Sequence, residues 1–142
     1  MKKRLFAAIF MLTSQALADG IIEDAYVRDL IPGRDMSAGF FVFSNTGDAP
    51  IVLVAATSSA AESVEMHSHV HEDGMMKMRP MTSVTVAPND EVVFEPGGHH
   101  LMLFKCDAAE FKAGQVTLVM TDAEGNEYRA NAEVRSPHHM HH

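Results

Sequence analysis

The sequence predicts an all-β fold, a single Greek-key β-sandwich, and three observations carry that expectation. Short runs rich in Val, Phe, Leu and Thr recur at regular spacing. Turn signals separate them, among them Asn45-Thr46-Gly47-Asp48, Ala87-Pro88-Asn89-Asp90, Glu95-Pro96-Gly97-Gly98 and Ala123-Glu124-Gly125-Asn126. Few segments hold the 3.6-residue period of an amphipathic helix. The runs place strands, in order, at 38–44, 51–57, 63–68, 75–79, 84–86, 91–95, 100–106, 116–121 and 127–134, with one helical turn at 108–112. A chain of 142 residues is long enough for one such domain and too short for two.

The ends read differently from the middle. Lys2, Lys3 and Arg4 precede an apolar run from Leu5 to Leu12 and the small-residue site Ala16-Leu17-Ala18, the pattern of a cleaved secretory signal peptide over 1–18. The run is too short to span a bilayer, so no stable membrane insertion is expected. No cysteine follows Ala18 directly, so a lipid-anchored product is not expected either. The folded domain then occupies 19–136. Beyond it, residues 137–142, Pro137-His138-His139-Met140-His141-His142, form a His- and Met-rich tail with nothing apolar enough to pack. Two readings of the tail stand: a natural metal-capturing extension, or the remnant of an expression tag, against which the interruption by Met140 argues.

Removal of residues 1–18 takes away three basic residues and no acidic ones, leaving 8 Lys and Arg against 19 Asp and Glu and a net charge of −11. That balance argues against nucleic acid or an anionic membrane as partner and is compatible with a metal cation or a basic protein patch. The one cysteine, Cys106, cannot form an intramolecular disulfide, so the fold stands on its core even in an oxidising compartment. It reads as a small buried hydrophobe near a strand end.

All nine histidines lie at or beyond residue 67, and five fall between 67 and 100 among Met66, Met75, Met76, Met78 and Met81, with Met102 just beyond. Thioether is a soft neutral donor and imidazole suits copper, so a mixed His and Met set selects copper, Cu(I) above all. Zinc ordinarily recruits thiolate or carboxylate beside His. Strand alternation puts His100 and Met102 on one face while Leu101 and Leu103 turn to the core. His67 and Met78 are equidistant from Glu72-Asp73, so a hairpin turning there sets them opposite each other, Cβ atoms about 5 Å apart. His69, His71 and His99 read as solvated loop residues, with His69 or His71 available to a Cu(II) form.

The spacing His67, ten residues, Met78, twenty-one residues, His100, one residue, Met102 resembles the signature of the periplasmic copper chaperone family PCu(A)C. The phrases Gly74-Met75-Met76-Lys77-Met78-Arg79-Pro80 and Pro96-Gly97-Gly98-His99-His100-Leu101-Met102-Leu103 resemble that family too, and the likeness runs over nearly all of 19–136. One departure is His99, where the resemblance leads to an aromatic residue. The resemblance implies a cupredoxin-like β-sandwich that binds Cu(I) through His67, Met78, His100 and Met102 and delivers copper in the periplasm. It further implies a role in cytochrome c oxidase assembly, the acceptor being that enzyme's copper subunit or a thioredoxin-like copper-delivery protein. For the tail it implies Cu(II) binding by His138, His139, His141 and His142.

Rival readings are weaker on chemistry. A blue-copper electron carrier needs a Cys thiolate between its two His ligands, whereas Cys106 follows His100 and Met102. Copper storage or resistance is a further alternative with the same ligands. No convincing Ser, His and acid arrangement or zinc motif points to an enzyme.

Overall fold

In β2 (Ser37–Asn45) nearly every residue is buried, whichever way it points. A strand covered on both faces is a central one, and its sequence, Ala38-Gly39-Phe40-Phe41-Val42-Phe43, is accordingly a continuous apolar run rather than an alternating one. The computed structural model describes residues 19–136 and surrounds β2 with nine further strands: β1 (Gly20–Arg28), β3 (Ile51–Ser58), β4 (Ala61–Glu72), β5 (Met75–Pro80), β6 (Val84–Val86), β7 (Asp90–Phe94), β8 (His100–Cys106), β9 (Gln115–Asp122) and β10 (Glu127–Arg135). One short helix, α1 (Ala108–Lys112), is capped by Asp107, whose carboxylate accepts from the Ala109 N–H.

The strands follow the order β5-β4-β8-β2-β1-β10-β9-β3-β6, with β7 also on β2, and the sheet closes where β3 meets β4 at Ala56 and Val64. Neighbours such as β8–β2 and β9–β3 are distant in sequence, which is the crossover connectivity of a Greek key. The all-β expectation holds. Inside lie Val27, Phe43, Leu53, Leu101, Leu103, Leu118 and Met120, all without solvent exposure. Phe41 stacks on Phe94 at 4.4 Å between ring centres, and Phe43 meets Tyr128 edge-on at 5.0 Å, joining β2 to β10 across the core.

Two strands differ from the sequence expectation. β1 was not anticipated, because Asp24 takes a left-handed conformation (φ 56°) and the β1–β2 register shifts between Glu23 and Tyr26, a bulge that breaks period-two alternation. β4 runs four residues further than expected, to Glu72, so His69 and His71 are strand residues rather than loop residues. Among the strand ladders of the described residues only β1 and β10 run parallel, and that ladder ends with the Asp29 N–H donating to the Arg135 carbonyl at 2.9 Å. Residues 1–18 and 137–142, where the signal peptide and the tail are expected, lie outside the described residues.

Candidate metal centre

β8 divides its residues as alternation requires. Leu101 and Leu103 are fully buried in the core, while His100 (4% exposed) and the half-buried Met102 face the other side of the sheet. β4 lies on one flank of β8, with His67 opposite His100 and Glu65 opposite Met102; β2 lies on the other, with Ala38 opposite Met102. His67, His69 and His71 share the face of His100 because they sit at alternate positions of β4. Two imidazoles thus flank a third: the His100 ring centre is 5.7 Å from His67 and 5.1 Å from His69.

The β4–β5 hairpin adds the thioethers. Its turn is Asp73-Gly74, both residues with positive φ (51° and 75°), the conformation of a two-residue type I′ turn. The turn centre therefore falls one residue later than the sequence reading placed it, and the pairing moves by two: Met78 stands opposite His69, Met76 opposite His71, and His67 opposite Pro80. The expected direct pairing of His67 with Met78 is corrected to a diagonal one on the same face. The Asp-Gly dipeptide, a strong hairpin signal, was the clue that would have fixed this register.

His69, Met78, His100 and Met102 line one cavity of about 620 Å³, together with Phe40 and Met36. His67 stands beside it against His100 without lining it. His99 turns elsewhere, its Nδ1 3.0 Å from the Ser68 hydroxyl and its ring 5.7 Å from Phe94. His71 is exposed at the outer end of the hairpin.

Hydrogen bonds fix which nitrogen of each ring is free. The Gly98 carbonyl lies 3.2 Å from Nδ1 of His100 and 3.3 Å from Nδ1 of His69. A carbonyl only accepts, so both Nδ1 atoms carry their protons, and in the neutral rings both Nε2 atoms carry lone pairs. His67 is held the other way round. Its Nε2 is 2.8 Å from a Glu65 carboxylate oxygen, and its Nδ1 is buried without a hydrogen-bond partner. Burial holds the pKa of His100 below the ordinary imidazole value, and His69, His67 and Arg28 push it the same way against the Gly98 hydrogen bond. His100 therefore keeps its lone pair into more acidic solution than a free histidine. Among the described residues no three His, Cys, Asp or Glu side chains are gathered tightly enough to hold an ion, whereas the thioethers of Met78 and Met102 line the same cavity as His69 and His100.

A family model described as "Putative lipoprotein LpqE-like" matches residues 21–134. The "Putative lipoprotein Lxx21020" of Leifsonia xyli subsp. xyli is 36% identical over 110 residues, 74% of this chain; the chain spans 64% of that relative's own length. Among solved structures, the copper-bound PCuAC domain from PmoF2 superposes with a TM-score of 0.68 at 20% identity, covering 86% of this chain and 97% of that one. The solution structure of CuI-DR1885 from Deinococcus radiodurans gives 0.60 at 26% identity, covering 86% and 81%. The fold is therefore the cupredoxin-like β-sandwich of PCuAC domains.

Proposed function

Because the chain belongs to the LpqE-like family and folds as a PCuAC domain, we propose that it is a copper carrier of the cell envelope, with Cu(I) as its cargo. His67, Met78, His100 and Met102 are the donors in this reading, with His69 as a neighbour able to replace His67. The observation that carries it is the set of free lone pairs on one sheet face: Nε2 of His100, Nε2 of His69 and the buried, unpartnered Nδ1 of His67, beside two thioethers. A buried acceptor nitrogen without a partner is costly unless something fills the gap. Two soft sulfurs decide in favour of Cu(I) over harder ions. The solved relative named CuI-DR1885, with 26% identity, supports the same oxidation state.

The role is carriage rather than catalysis. Neutral donors hold the ion without an anionic ligand, and the half-exposed Met78 lets an acceptor approach from the hairpin side. The acceptor in this reading is a copper protein of the envelope, the copper subunit of cytochrome c oxidase or a thioredoxin-like copper-delivery protein. The signal-peptide pattern over 1–18 and the lipoprotein description of the family support export. No helix among the described residues is long and apolar enough to cross a membrane.

The test is an anaerobic Cu(I) titration of the full chain against a competing chelator, beside the Met78→Ala/Met102→Ala double variant. One tight equivalent in the parent, weakened at least about a hundredfold in the variant, is expected if each lost donor costs on the order of tenfold. Equal binding by the two proteins would remove the site from this face. His67→Ala and His69→Ala, titrated singly, decide which imidazole coordinates.

A further inference from the structure

We propose that Met36 is an additional copper donor, a third thioether supplied by the segment joining β1 to β2. This rests on the copper-carrier reading and extends its ligand set. Met36 lines the same cavity as His69, Met78, His100 and Met102, and it approaches from the flank of β8 opposite the hairpin. Its position is held: the Cys106 N–H donates to the Asp35 carbonyl at 2.8 Å, extending the β2–β8 ladder past Ser37 and Leu103. Ala38, opposite Met102, shares its face, and Met36 lies two residues before Ala38 along the same chain. The side chain is 47% exposed, so it is not consumed in the core.

Chemistry separates this residue from its neighbours on the joining segment. Arg34 and Asp35 are charged and hard, and Ile31 offers only hydrocarbon; Met36 alone there brings a soft, neutral lone pair to a cavity already lined by two others. Cu(I) in such a cavity has thioethers available from both flanks of β8, Met78 from the hairpin and Met36 from the β2 side, with Met102 and His100 beneath. A donor on a segment outside the sheet can leave the ion while the strand donors stay. That is the order in which an acceptor's ligands would replace the protein's own.

The experiment is NMR of the full chain carrying ¹³C-methyl methionine, titrated anaerobically with Cu(I), with Met36 assigned through Met36→Leu. The Met36 methyl is expected to move together with those of Met78 and Met102 during the first equivalent. Met36→Leu, which keeps the bulk and loses the sulfur, is expected to raise the Cu(I) dissociation constant about tenfold, the low end for losing a contact that tunes a metal site. If Met78 and Met102 shift while Met36 stays, the carrier reading survives and this proposal fails. A shift confined to Met140 would overturn both.

Discussion

Single side chains decide what this sheet face can do. Cys106 ends β8 on the strand positions of His100 and Met102, yet the left-handed Lys105 (φ 51°) redirects it to pack against the core. Burial and the nearby Asp35 push its thiol up to about 11. It is therefore a poor nucleophile at neutral pH, and alkylation by iodoacetamide followed by mass spectrometry should be slow at pH 8 and accelerate as pH approaches 11. Asp122 shows the opposite balance. Burial would raise its pKa, but Tyr128 Oη (2.7 Å), Asn126 Nδ2 (3.0 Å) and the backbone N–H groups of Glu124 and Asn126 (both 2.9 Å) donate to it and bring it below the ordinary value. A depressed carboxylate stabilises the fold above its unfolded pKa, and that stabilisation is lost as pH falls through the folded value. Asp122→Ala should cost about 2 kcal/mol at pH 7, from leaving the buried Tyr128 hydroxyl and its companions unpaired. In urea melts the variant's deficit should shrink as pH falls below about 4; a constant deficit would refute the linkage.

At the scale of elements, the legible parts were those whose signal is local. β6, β8 and α1 fall where the sequence reading put them, because alternation or a capping aspartate marks them within a few residues. β1 was hidden by its bulge, and the inner end of the site by the hairpin register, which depends on a single turn. The candidate ligands His67, Met78, His100 and Met102 could be read from spacing, but the place of His69 opposite Met78 could not, since the Asp73-Gly74 turn alone sets which β5 residue faces it. Gly74 has open space around its absent Cβ but a φ of +75°, so the constraint there is conformational rather than steric. Gly74→Val should destabilise the hairpin by about 1–2 kcal/mol, the cost of forcing a β-branched residue left-handed. Cu(I) affinity should fall with it as the rung between His69 and Met78 loosens. Chelator competition with unchanged affinity would show that the hairpin register does not matter to the site.

For the molecule as a whole, a cargo that binds only the native arrangement stabilises it by mass action. Free Cu(I) at a thousand times the dissociation constant should add roughly 4 kcal/mol. Anaerobic thermal melting should thus show a large upward shift in the parent and little in Met78→Ala/Met102→Ala. The site draws on β2, β4, β5 and β8, strands from distant parts of the sequence, so an ion held there ties long-range contacts together.

The parallel pairing of β1 with β10 has its own consequence for where the described chain ends. Because the Asp29 N–H reaches the Arg135 carbonyl, the last described strand ends beside Arg28 and Asp29, which line the cavity. The described chain therefore ends, at Ser136, on the Arg28 and Asp29 side of the cavity. Deleting residues 137–142 should leave the Cu(I) affinity of the folded site unchanged, measured by anaerobic chelator competition.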